Sequence, residues 1–136
     1  HDLTNRASTF QLERQNYYVR AATEFIQENY ADDIKVQDIA DHVGISRNYL
    51  STLFQNILQV SPNAYLANFR LTRAKEQLTI TDLSIGAIAD MCGYRDPLVF
   101  SKAFKLKTGM TPTQYRKTNR EIERMSIEQL RHKKGL

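Results

Sequence analysis

The chain says nearly the same thing twice. Ile39-Ala40-Asp41-His42-Val43-Gly44 matches Ile88-Ala89-Asp90-Met91-Cys92-Gly93 at an offset of 49, and Leu50-Ser51-Thr52-Leu53-Phe54 matches Phe100-Ser101-Lys102-Ala103-Phe104 at an offset of 50. Pro62 and Tyr65 then match Pro112 and Tyr115. The one-residue change of offset falls in a turn, where insertions are tolerated. In a chain of 136 residues, a duplicated block of this size favours two small lobes sharing a linker over one large core.

Each copy reads as a short helix, a tight turn and a second helix. In the first copy, Val36, Ile39, Ala40 and Val43 follow the i, i+3, i+4, i+7 pattern of a helix with one buried face. Gly44 ends it, and Ser46 caps the next helix, predicted over 47–58. There Tyr49, Leu50, Leu53, Phe54 and Ile57 point inward, while Asn48, Ser51, Thr52 and Gln55 point outward. In the second copy Ser84 caps a helix whose inner face carries Ile85, Ile88, Ala89 and Cys92. Gly93 suits a positive φ past its end, and Asp96 followed by Pro97 is an N-cap with the favoured proline at the first helical position. The helix over 97–107 then places Val99, Phe100, Ala103 and Phe104 on one side and Leu98, Ser101, Lys102 and Lys105 on the other. Taken singly, the second of these helices fits an ordinary amphipathic surface helix as well as one that inserts into a groove of DNA. Two copies in register are the pattern of paired helix-turn-helix units.

The remaining segments complete an all-α architecture of about seven helices: two helix-turn-helix subdomains joined by a long linker helix. Residues 1–16 are polar, carry no clear period and lack an initiator methionine, so they read as a linker from a longer chain. The first subdomain spans 17–60, opening with a helix over 17–30 that offers Val19, Ala22, Phe25, Ile26 and Tyr30 for packing. Ser61-Pro62 starts the linker helix, 61–80, with Tyr65, Leu66, Phe69, Leu71, Ala74 and Leu78 as buried candidates. The second subdomain spans 81–118, with Gly109-Met110-Thr111-Pro112 opening its closing helix. Residues 119–136 form an extension whose Arg131-His132-Lys133-Lys134 reads as a flexible phosphate-touching tail or a solubilising end.

Charge is segregated. The net charge of +4 divides into −4 over residues 1–42, with four Lys/Arg against eight Asp/Glu, and +8 over 43–136, with fifteen against seven. Both outward stripes lie in the basic part, the footprint of a phosphate-binding face. No apolar run approaches the roughly 20 residues of a membrane span. Cys92 is the only cysteine, which excludes an internal disulfide and a multi-cysteine zinc site and suits a small core residue. His1, His42 and His132 are scattered, with His42 expected on the solvent side of its helix. No phosphate loop, nucleophile elbow or metal-ligand spacing occurs, so no catalytic residue, metal or cofactor is assigned.

These motifs resemble the C-terminal DNA-binding domain of AraC/XylS-type transcriptional regulators. The resemblance is carried by Gly93-Tyr94-x-Asp96, Phe100-Ser101-Lys102-x-Phe104-Lys105 and Gly109-x-Thr111-Pro112-x-x-Tyr115-Arg116, and upstream by Ile39-Ala40, Gly44 and Ser46-Arg47-x-Tyr49-Leu50-Ser51-x-Leu53-Phe54. It covers about residues 19–118. It implies a bacterial, cytoplasmic transcription regulator: a DNA-binding activator with double-stranded DNA and RNA polymerase as partners. It also implies an N-terminal effector-binding and dimerisation domain outside this chain.

On that reading Arg47, Asn48, Ser51, Thr52, Gln55, Leu98, Ser101 and Lys102 are the base-reading residues, and Ser46, Lys105, Lys107, Thr111, Arg116 and Lys117 position phosphates. Two such helices on a stiff linker would enter successive major-groove segments about 34 Å apart. The chain departs from the family pattern in two places. Gln55-Asn56 and Gln59 replace a basic pair and a glycine after the first reading helix, which weakens its expected phosphate grip. Pro97 and Leu98 replace polar residues, and Leu98 can pack on a thymine methyl but cannot hydrogen-bond. The alternative is a helical protein-interaction module that keeps the fold without binding DNA.

Overall fold

The computed structural model describes residues 2–134, with side chains from Arg6 onward. His1 and the last two residues of the 119–136 extension lie outside the described residues. Seven helices and no strand occur among them: α1 Asp2–Asn29, α2 Val36–Val43, α3 Arg47–Leu58, α4 Pro62–Ile80, α5 Ile85–Met91, α6 Pro97–Thr108 and α7 Pro112–Lys133. The chain divides into two compact units, residues 1–69 and 70–136.

In the first unit Val19, Ala22 and Ile26 of α1 meet Ile39 and Ala40 of α2, Leu50, Leu53 and Phe54 of α3, and Leu66 of α4. All are buried, so the 3.6-residue spacing of each apolar stripe becomes one core. Tyr49 departs from its expected inward position: it is 37% exposed and packs edge-on against Tyr18 at 6.2 Å. His42 is exposed, as expected, and its ring stacks on Phe25 at 4.4 Å.

α1 begins far earlier than the predicted helix over 17–30. Its first half contains neither glycine nor proline, so nothing in the chain stops a helix there. Residues 6–14 are exposed on every side, which is why no apolar period announced the helix.

α3 ends on Gln59 at φ +58, the only non-glycine residue with positive φ among the described residues. Gly44 and Gly109 take the matching place after α2 and α6. A left-handed residue with a Cβ costs about 1–2 kcal/mol, against which Gln59 offers two exposed bonds, from Nε2 to the Asn56 carbonyl at 3.2 Å and to that of Ile57 at 3.4 Å. Gln59→Gly is therefore expected to stabilise the chain by about 0.5–1 kcal/mol, read as a higher melting temperature by circular dichroism. A lower one would show that the side-chain bonds outweigh the backbone strain.

The second unit gathers Leu71, Ala74 and Leu78 of α4, Ile88 and Ala89 of α5 with Cys92 just past its end, and Phe100 and Phe104 of α6. A run of aromatic rings crosses it: Tyr94 to Phe100 at 5.2 Å, Phe100 to Phe104 at 5.8 Å, and Phe104 to Tyr115 at 5.3 Å. The Arg70 guanidinium lies 5.8 Å from the Tyr94 ring centroid, a cation–π distance. Burial pushes the Cys92 thiol up to about 11, so it stays protonated and serves as a small core side chain.

One expectation fails here. Val99 is 55% exposed rather than buried with Phe100. The closing helix runs on past the subdomain boundary drawn at residue 118 to Lys133, exposed from Glu121 onward. Arg131, His132 and Lys133 form its last turn, where cations complement the helix dipole.

Candidate nucleic-acid interface

Both candidate reading helices start at built caps. The Ser46 hydroxyl accepts from the Tyr49 amide at 3.1 Å and starts α3. The Asp96 carboxylate accepts from the Leu98 amide at 2.9 Å, and Pro97 fixes the first helical φ of α6. Each helix is then held from behind by its buried residues, Leu50, Leu53 and Phe54 in α3 and Phe100 and Phe104 in α6.

On α3 the outward face is polar. Arg47, Asn48, Thr52 and Gln55 are exposed, and Ser51 is half-buried at the edge of the stripe. The Thr52 hydroxyl donates back to the Asn48 carbonyl at 3.1 Å, which turns the threonine into a fixed rather than a roaming contact.

On α6 the face opposite Phe100 and Phe104 is built around Lys102. Leu98 lies one turn before it and Leu106 one turn after it, at 70% and 85% exposure. Val99 stands beside Leu98, Lys105 is exposed on the other flank, and Ser101 is half-buried at the edge. Val99 was expected on the inner side because it stands next to Phe100, and Leu106 was assigned to neither face. Projecting the helix from its buried pair would have found them.

The phosphate candidates separate into three kinds. Lys105, Lys107 and Lys117 are exposed. Ser46 and Thr111 are N-caps: the Thr111 hydroxyl accepts from the Gln114 amide at 3.2 Å, and the Gln114 side chain returns the bond to the Thr111 amide at 3.0 Å. Their hydroxyl protons remain able to donate, beside helix starts that favour anions. Arg116 is placed differently from the phosphate role. Its Nε donates to the Leu78 carbonyl at 3.0 Å and its Nη2 is buried, so it ties α7 to the end of α4. Arg120 does the same one turn on, donating to the Thr81 carbonyl at 2.9 Å and the Asp82 carboxylate at 2.6 Å.

Among the described residues no cluster of histidine, cysteine or carboxylate side chains could hold a metal ion, and no helix is long and apolar enough to cross a membrane. What the surface offers is hydrogen-bonding, cationic and apolar side chains on capped, rigidly backed helices.

A helix-turn-helix domain family matches residues 39–118, more than half of the chain. The raffinose operon transcriptional regulatory protein RafR of Pediococcus pentosaceus is 40% identical over 97 residues, covering 71% of this chain and 35% of that protein. The chain thus spans about a third of the length of this curated relative. Among solved structures, the C-terminal domain of AraT, a response regulator from Geobacillus stearothermophilus, superposes with a TM-score of 0.73 at 35% identity, covering 74% of this chain and 84% of that one. A Chromobacterium violaceum transcriptional regulator with an AraC-type DNA-binding domain gives 0.72 at 30%, covering 76% and 93%. With the duplicated, capped helix pairs and these relatives in agreement, the chain belongs to the AraC-type family of helix-turn-helix DNA-binding domains.

Proposed function

We propose that this domain recognises specific double-stranded DNA sites within a longer transcription regulator, reading bases with α3 and α6. The observation that carries the reading is the repeated arrangement of a capped helix, buried on one side and presenting a polar or basic stripe on the other, in a chain of this family. Arg47, Asn48, Thr52 and Gln55 would read through α3, and Leu98 and Lys102 through α6, with Ser51 and Ser101 at the stripe edges. Ser46, Lys105, Lys107, Thr111 and Lys117 would position the backbone. The rest of such a regulator would supply effector binding and dimerisation, with RNA polymerase as its partner at the promoter and the cytoplasm as its setting.

Selection from a random duplex pool, followed by titration at several salt concentrations, tests this. Phosphate binding must weaken steeply with salt. A protein-interaction module, favoured by the apolar side chains on α6, would select no sequence and show no such slope. Within the DNA reading, Lys107→Ala is expected to weaken all duplexes alike and to reduce the salt slope by about one unit. A loss confined to one sequence would make Lys107 a base-reading residue.

A further inference from the structure

The two reading helices present different chemistry at equivalent positions. Where α3 has Asn48, Thr52 and Asn56, α6 has Leu98, Lys102 and Leu106 fifty residues later. Tyr49, at the position equivalent to Val99, packs on Tyr18, whereas Val99 is left 55% exposed beside Leu98 at 70%. The first turn of α6 therefore exposes two adjacent branched apolar side chains, on a helix start held by the Asp96 cap and Pro97.

We propose that Leu98 and Val99 together read the 5-methyl groups of neighbouring pyrimidines, thymine or 5-methylcytosine, in the major groove. This rests on the DNA-binding reading above. The first residues of a recognition helix are those that reach base edges. Leucine and valine can neither donate nor accept a hydrogen bond, and the apolar feature on those edges is the pyrimidine methyl. Lys102, Lys105 and Lys107 on the same helix carry the charge that holds an apolar pair against a polyanion. The preordered first turn also limits the ordering cost of the contact. Val99 thereby becomes a specificity-determining residue alongside Leu98, and the two units read by different means: hydrogen bonds in the first, methyl contact in the second.

The test uses the full 136-residue chain and a duplex obtained by selection. Each thymine is replaced in turn by uracil, which removes only the methyl. Loss of about fourfold per contacted methyl is expected, the equivalent of about 0.8 kcal/mol per buried carbon. Where cytosine replaces a contacted thymine, 5-methylcytosine should recover the methyl contribution relative to cytosine. The Leu98→Ala/Val99→Ala double variant should bind the uracil and thymine duplexes equally. Salt-dependent binding of the selected duplex that ignores every uracil substitution would overturn the methyl inference alone. Failure of any duplex to bind in a salt-dependent way would overturn the DNA reading beneath it, and the stripe would then fit a protein partner.

Discussion

Phe104→Ala should destabilise the chain by about 3–5 kcal/mol. Phe104 has no exposed surface and sits between Phe100 at 5.8 Å and Tyr115 at 5.3 Å. Truncation loses the transfer energy of the ring and leaves a cavity lined by two aromatics that cannot easily collapse into it. The edge-on contact with Tyr115 is lost as well, at about 0.5–1.5 kcal/mol. Against a total stability of about 5–15 kcal/mol, that is a large fraction of what holds the chain folded. Denaturant unfolding followed by circular dichroism measures it, with Val99→Ala as the exposed control expected to stay within about 0.5 kcal/mol. A cost below about 1 kcal/mol for Phe104→Ala would mean the aromatic run is loosely packed.

The second large effect falls on binding. Lys102→Ala is expected to cost about 1–3 kcal/mol, roughly five- to 150-fold in affinity, concentrated at one base pair. Lys102 occupies the middle of the exposed face of α6, with Leu98 and Leu106 a turn away on either side. Among those three it alone can donate to guanine O6 or N7. Removing it leaves an unmet acceptor rather than a weaker general attraction, so discrimination at that position should collapse while the others persist. Affinities for all single-base variants of the selected site distinguish this from phosphate contact. A uniform loss across the set would place Lys102 on the backbone.

Local chemistry made most of the fold legible in the sequence. Ser46, Ser84 and Asp96 cap the helices they were expected to cap, because an N-cap bond reaches only two or three residues along the chain. Buried stripes such as Ile88, Ala89 and Cys92 followed from spacing alone. Two kinds of feature escaped. The ends of α1 and α7 are helical without burying a face, so the periodic signal that announces a helix is missing there. Arg116 read as a free cation because its partner, the Leu78 carbonyl, lies 38 residues back and is brought near only by the fold. Val99 was misread because it sits next to Phe100 in sequence, although the helix turns it away from the core.

The division of α6 between Phe100 and Phe104 inside and Leu98, Val99, Lys102 and Leu106 outside separates two mutational landscapes. Changes on the outer set leave the packing intact and should each fall within about 0.5 kcal/mol in stability. Substitutions there can therefore change the chemistry this face presents one residue at a time without first losing the folded state.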